Sequence, residues 1–157
     1  MKKTLIIGYG NTLRSDDGVG VWIADRIAAL DLPDVEVRTY HQLDLELIPD
    51  LLPFDTVILV DAAASGEPIT YRVFSSSTAV PSIVTHNVNP ESLQQLAHEF
   101  YGITLDMHLI TVRGESFEFG SMLSPSVQQR AVGAINKITQ LLHQSARNET
   151  QAGYATI

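Results

Sequence analysis

Apolar positions occur along the chain in short runs, and these runs predict strands and helices in alternation. Five segments rich in apolar and β-branched residues are predicted to be strands: Thr4–Tyr9, Val35–Tyr40, Thr56–Asp61, Ile69–Phe74 and Met107–Val112. The segment TVILVD, residues 56–61, is apolar at successive positions, which is typical of a central parallel strand buried on both faces. Ile69–Phe74 follows the turn sequence SGEP and is a candidate antiparallel strand.

Four segments are predicted to be helices: Gly18–Leu30, Leu43–Leu52, Pro90–Phe100 and Val127–His143. The residues expected to cap or interrupt them are Ser15 or Asp16 for the first, Pro49 within the second, Asn89 and Gly102 at the ends of the third, and Ser124 before the fourth. Segments 75–81 and 114–121 are expected to be irregular. Residues from about 145 to 157 are polar and are expected to fray.

Alternating strands and helices imply an α/β fold, with a mostly parallel, twisted sheet covered by helices on both faces in three layers. The 157 residues show no internal repeat and no linker, so residues 1–157 are expected to form one domain. In sheets of this kind ligands bind beyond the carboxyl ends of the strands. The polar residues that follow each predicted strand are therefore the candidate functional residues.

Charge and composition exclude several classes of protein. The net charge of −8 would repel a phosphate backbone, so we expect no nucleic-acid partner. The absence of cysteine excludes disulfides, thiolate metal sites and cysteine nucleophiles. No segment approaches the roughly 18–20 apolar residues that span a bilayer. The apolar run after the two N-terminal lysines is too short for a signal peptide, so we expect a cytoplasmic protein without a membrane partner.

Four predicted strand ends carry carboxylates or imidazoles. Asp16 and Asp17 follow the first strand, and His41 follows the second. Asp61 ends the third strand, and His86 follows the short extended piece SIVT, residues 82–85. The carboxyl ends of parallel strands meet at one edge of a sheet, so these side chains are expected to lie together. Carboxylate oxygen and imidazole nitrogen suit a divalent ion such as nickel or zinc.

The glycine-rich segment GYGNTLRSDDGVG, residues 8–20, leaves other chemistries open. Nucleotide binding is disfavoured because Asp16 and Asp17 at the helix start would repel phosphate. An Asp17/Asp61 dyad acting on water without a metal is a further possibility. Adjacent residues point in different directions, so one of the two neighbouring aspartates faces the site while the other braces the loop. Gly10 is expected to permit a tight turn that Asn11 holds through its amide, with substrate contact as a second role for both.

These residues also carry a family resemblance. GYGNTLRSDDGVG resembles the N-terminal signature of the hydrogenase maturation endopeptidases, which trim the C-terminus of the [NiFe]-hydrogenase large subunit after nickel insertion. VILVDAA, THNVNPESLQQL and GESFEFGSMLSPSV resemble three further blocks of that family, so the similarity extends from about Thr4 to Leu142. HQLDLEL, residues 41–47, resembles the members that serve bidirectional, NAD-linked hydrogenases.

The resemblance implies an aspartyl-type endopeptidase in which Asp17, Asp61 and His86 contact the metal and carry the catalysis. The supporting or substrate-contacting positions are Gly10, Asn11, Asp16 and His41. It further implies that nickel is carried by the partner, a hydrogenase large-subunit precursor, and that the protease is a monomer that docks transiently. The alternative is a non-enzymatic nickel-binding accessory protein of hydrogenase assembly.

Overall fold

The computed structural model describes residues 2–74 and 88–155. Within these ranges the strands are β1 (Thr4–Tyr9), β2 (Val35–Tyr40), β3 (Thr56–Ala63), β4 (Ile69–Phe74) and β5 (Asp106–Arg113). The helices are α1 (Val19–Ala28), α2 (Ile48–Leu51), α3 (Pro90–Tyr101) and α4 (Pro125–Ala155). Short 3-10 turns at Ser15–Gly18 and Leu45–Leu47 precede α1 and α2.

The strands form one sheet in the order β2-β1-β3-β5-β4. The pairs β1–β2, β1–β3 and β3–β5 are parallel, whereas β4 runs antiparallel to β5 at the edge. The prediction of a mostly parallel α/β sheet is confirmed, as is the antiparallel β4. The apolar run 56–61 lies in β3 at the centre of the sheet, where both faces are covered.

Two apolar cores lie on opposite faces of the sheet. On one face Leu5 and Ile7 of β1 pack with residues of α2 and α3, including Leu51 and Leu93. On the other face Ile6 packs with α1 and α4. Side chains alternate between the faces of a strand, so β1 contributes to both cores. The three-layer arrangement predicted from the sequence is therefore present.

The ends of α3 follow the local sequence signals. Asn89 accepts the Ser92 N–H at 2.8 Å, and the Ser92 hydroxyl oxygen accepts the Asn89 N–H at 2.9 Å, which forms a capping box. Gly102 ends the helix in the left-handed conformation. Pro49 lies in the first turn of α2, directly after the 3-10 turn, so the predicted second helix is split as expected.

Two local predictions are wrong. The α1 helix has Gly18 at its N-cap with no side-chain cap, because Ser15 and Asp16 lie in the preceding 3-10 turn. The α4 helix continues to Ala155, through most of the segment that was expected to fray. The predicted loop at 75–81 and the piece SIVT lie outside the described residues. In the part of the chain that the structure describes, no helix has the length and apolar character needed to span a membrane.

Candidate functional site

A tight turn after β1 positions the first carboxylate of the site. Gly10 adopts a positive φ of 146°, and a Cβ there would lie 2.0 Å from the backbone oxygen of Asp17. The Asn11 N–H donates to Asp17 Oδ2 at 2.7 Å, and Asn11 Oδ1 accepts the Leu13 N–H at 2.9 Å. The turn that the glycine-rich segment predicts therefore holds the Asp17 carboxylate against the chain that leaves β1.

Close packing of α1 on the sheet brings this turn to the end of β3. A Cβ on Gly20 would lie 2.3 Å from the backbone oxygen of Val60 and 2.9 Å from that of Tyr9. Only a residue without a side chain allows the helix to approach β1 and β3 so closely. This approach places the start of α1 beside the carboxyl end of β3, where Asp61 lies.

The neighbouring Asp16 has a different role, because its side chain is fully buried. Its carboxylate accepts four hydrogen bonds, from the backbone N–H groups of Glu115, Ser116 and Ser124 and from the Ser124 hydroxyl, at 2.7–2.9 Å. Burial by itself would raise the pKa of Asp16, but these hydrogen bonds lower it overall. Asp16 therefore braces segment 114–124, about 100 residues away in sequence.

A cleft of about 810 Å³ lies at the carboxyl ends of β1, β2 and β3. Asp17 and Asp61 both line this cleft, together with Tyr9 and with segment 41–45, which begins at the exposed His41. Three of the predicted site residues thus converge from three strand ends, as the topology of a parallel sheet requires. Gly10 also lines the cleft.

The Asp61 carboxyl group has an unusual electrostatic environment. It is partly buried, and Oδ1 accepts the Ala62 N–H at 2.7 Å. The pKa of Asp61 is raised to about 6, chiefly by burial and to a smaller extent by the charge of Asp17. Hydrogen bonds from the Ala62 N–H and the Tyr9 hydroxyl lower the pKa but do not offset the effect of burial. The pKa of Tyr9 is itself raised by burial and by Asp61. A carboxyl group with a pKa near 6 can accept and return a proton close to neutral pH.

The predicted metal ligands are placed only in part. Asp17 and Asp61 share the cleft, whereas His86 lies outside the described residues. Within residues 2–74 and 88–155, no group of three or more histidine or acidic side chains is arranged to hold a metal ion. The three-ligand set therefore stays a prediction.

Tyr9 and Arg14 are among the residues of the cleft that sequence reasoning missed. Tyr9, the last residue of β1, donates a hydrogen bond to Asp61, and Arg14 lines the cleft with an exposed guanidinium group. The rule that selected Asp61, position at the carboxyl end of a parallel strand, applies equally to Tyr9. The sequence analysis considered it only as the last residue of the predicted strand Thr4–Tyr9.

A second polar cluster lies away from this cleft. The His108 ring bonds Tyr71 Oη through Nδ1 at 2.7 Å and Asp106 Oδ1 through Nε2 at 3.0 Å, which ties β4 to β5. These residues border a cavity of about 260 Å³ that also contacts Thr4 at the start of β1, the end of the sheet opposite Asp61. His108 thus links β4 and β5 at the end of the sheet away from the cleft.

The chain is similar in sequence and in structure to hydrogenase maturation proteases. No protein-family model matches the chain. The chain is 28% identical over 152 residues to the hydrogenase 2 maturation protease of Escherichia coli K12, an alignment that covers 91% of this chain and 92% of that one.

Solved structures agree with this sequence match. The hydrogenase maturating endopeptidase HybD from Escherichia coli has a TM-score of 0.70 at 25% identity, covering 91% of this chain and 93% of its own. The [NiFe] hydrogenase maturation protease HycI from Thermococcus kodakarensis KOD1 has a TM-score of 0.69 at 24% identity, covering 90% and 93%, which supports the fold. The family resemblance is confirmed, and the assignment to the bidirectional subgroup stays a prediction.

Proposed function

We propose that this chain, a homologue of the hydrogenase maturation proteases in sequence and structure, is an endopeptidase that removes the C-terminal extension of a [NiFe]-hydrogenase large-subunit precursor after nickel insertion. The observation that carries the proposal is the convergence of Asp17 and Asp61 in one cleft at the carboxyl ends of β1 and β3. The precursor is the proposed partner, and its nickel ion is part of the substrate.

Substrate recognition rests on three side chains in this proposal. Nickel in the precursor binds Asp17, Asp61 and His86, which fixes the scissile peptide bond relative to the cleft. Asp17 keeps one oxygen for the ion because the other, Oδ2, accepts the Asn11 N–H. Carboxylate and imidazole donors match the preferences of nickel. A precursor without nickel lacks this anchor, so cleavage follows metal insertion.

Peptide hydrolysis then needs a group that takes a proton from water and returns it. Asp61 suits this role because its carboxyl group lies in the cleft beside Asp17, at the carboxyl end of β3. Water adds to the scissile carbonyl while the Asp61 carboxylate takes its proton, and the same proton passes to the amine that leaves. The Tyr9 hydroxyl orients Asp61 by donating a hydrogen bond to it. Holding water and peptide together contributes by lowering the entropic part of the barrier.

The remaining predicted residues support this arrangement. Gly10 and Asn11 hold Asp17 in the turn, and Asp16 braces the segment 114–124. His41 is exposed and lines the same cleft from the segment that follows β2, where it is available to contact the extension of the precursor.

The proposal is tested by intact-mass spectrometry of the precursor. Nickel-loaded and nickel-free precursor are incubated with the wild-type chain and with Asp17→Asn, Asp61→Asn and His86→Ala. We expect the wild type to release a C-terminal peptide from the loaded form alone and each variant to release none. Asp25→Asn, an exposed residue of α1, is the matched control and should process normally.

Two results would contradict the proposal. Processing by all three variants would show that these side chains neither bind nickel nor carry catalysis. A precursor whose mass stays constant while its nickel content changes would identify the rival function, a nickel-binding accessory protein that does not cut.

A further inference from the structure

Two loops beside the cleft expose large apolar side chains. Phe119 is 88% exposed, Met122 is 77% exposed and Leu13 is 55% exposed. Leu13 lies in the turn between β1 and α1, whereas Phe119 and Met122 lie in segment 114–124 between β5 and α4. Single exposed apolar residues are ordinary on protein surfaces, but several on adjoining loops mark an interaction site.

Backbone hydrogen bonds hold the two loops against each other. The Gly120 N–H donates to the Leu13 carbonyl at 2.8 Å, and the Ser15 N–H donates to the Gly120 carbonyl at 2.8 Å. The Ser15 hydroxyl donates to the Glu118 carbonyl at 2.8 Å. The buried Asp16 carboxylate ties the base of segment 114–124 to the same turn. These apolar side chains therefore project from a fixed backbone and not from a free loop tip.

The exposed side chains adjoin the proposed active site. Arg14, which follows Leu13 and pairs with Gly120, lines the cleft that holds Asp17 and Asp61. Leu45, 41% exposed, lines the same cleft from the segment after β2. A protein whose C-terminal segment enters the cleft must therefore cover the surface around Leu13.

We propose that Leu13, Phe119 and Met122 form a docking surface for the folded body of the precursor whose C-terminal extension occupies the cleft. This inference rests on the proposed function and extends it from the scissile bond to the folded domain. Two observations bear on the partner's chemistry: the exposed Glu118 precedes Phe119 in the docking surface, and the chain carries a net charge of −8. The neighbouring Glu115 is already paired with Arg130 at 2.6 Å. The complementary face of the precursor is thus apolar, with neutral or basic residues around it.

The docking surface is tested by steady-state processing of nickel-loaded precursor by the double variant Phe119→Ser/Met122→Ser. Truncating two large anchors beside a site weakens ground-state and transition-state binding equally, which raises KM and leaves kcat unchanged. We expect KM to rise at least about tenfold, with kcat within about twofold of the wild type. Both side chains are exposed, so the melting temperature should be unchanged.

Phe100→Ser is the matched control, because Phe100 is 73% exposed but lies on α3. Its KM should equal that of the wild type. An unchanged KM for the double variant, or an equal rise for Phe100→Ser, would overturn the proposal. So would a wild-type dimer that the double variant converts to a monomer in light scattering, since the surface would then bind a second copy.

The proposed function and the docking surface can fail independently, and two assays distinguish these failures. If the wild type does not shorten the loaded precursor, the endopeptidase assignment fails, and the docking surface is then tested by binding alone. Biolayer interferometry with the same immobilised precursor should show at least about tenfold weaker binding for the double variant than for the wild type. Equal binding by the two proteins would overturn the docking surface independently of catalysis.

Discussion

Replacing Asp61 by asparagine should abolish processing and at the same time stabilise the fold at neutral pH. Burial holds the pKa of Asp61 at about 6, above the 3.8 of an aspartate in the unfolded chain. Between these two values the folded protein binds a proton that the unfolded protein releases, so the stability of the wild type falls as the pH rises from about 4 to about 6. A neutral amide at this position removes that loss and can still accept the Ala62 N–H.

The size of the effect follows from the two pKa values. The difference of about 2.2 units corresponds to about 3 kcal/mol of unfolding free energy at pH 8. Asp61 is only partly buried, so water screens its charge, and we expect a gain of about 1–3 kcal/mol. For a domain of this size, about 2 kcal/mol corresponds to a rise in Tm of about 4–8 °C. At pH 4 the same difference shrinks to about 0.5 kcal/mol.

Urea unfolding of wild type and Asp61→Asn at pH 8, 6 and 4 measures this dependence directly. The gap in unfolding free energy should be largest at pH 8 and nearly closed at pH 4. Asp25→Asn, exposed on α1, should differ from the wild type by no more than about 0.5 kcal/mol at every pH. A gap that is independent of pH, or a less stable Asp61→Asn variant at pH 8, would refute the electrostatic argument.

Three further predictions concern the surroundings of Asp61. Gly20→Ala should lower the unfolding free energy by about 1–3 kcal/mol or more in urea unfolding, because the new Cβ would meet the Val60 carbonyl at 2.3 Å. The control is Gly133→Ala within α4, where only a terminal methyl group is near. This change should alter the unfolding free energy by at most about 1 kcal/mol. Asp16→Asn should cost about 2–4 kcal/mol at neutral pH, because the carboxylate accepts four hydrogen bonds, and hydrogen exchange in segment 114–124 should accelerate. Its pKa is lowered, so the stability it contributes is present above the unfolded value of 3.8 and is lost as the pH falls through the folded value. Processing by the wild type should decline as the pH falls through about 6, because protonated Asp61 neither binds nickel nor accepts a proton; a flat profile of kcat/KM from pH 5 to 8 would contradict this role.

The parts of the fold that the sequence predicts well are those set by short-range interactions. Asn89 and Gly102 mark the ends of α3 because a capping side chain and a left-handed residue act within one helical turn. The apolar segment 56–61 indicates an interior strand because an interior position in the sheet buries both faces of a strand, whereas an edge position does not. The alternation of these strands and helices predicts a parallel sheet. A parallel sheet in turn predicts that Asp61 lies at the carboxyl ends of the strands, where ligands bind.

The start of α1 could not be predicted in the same way. Ser15 and Asp16 are both good N-cap residues by type, and the sequence offers no local reason to reject them. The structure assigns their side chains to segment 114–124, since Ser15 Oγ bonds Glu118 and Asp16 bonds Ser116. Four charge-assisted hydrogen bonds to one carboxylate outweigh a single helix cap, but the donors come from about 100 residues later in the chain.

The different roles of Asp16 and Asp17 show how one short segment supports both the fold and the proposed chemistry. The Asp16 carboxylate has four donors, and its lowered pKa means that its charge stabilises the folded state. Asp17 accepts the Asn11 N–H and raises the pKa of Asp61, so its charge makes ionisation of Asp61 less favourable. A cation bound between Asp17 and Asp61 would reverse that repulsion. Without a cation, the two carboxylates of the cleft therefore repel each other. Nickel carried by a loaded precursor would relieve this repulsion on binding, so the ion would contribute strongly to recognition of the precursor.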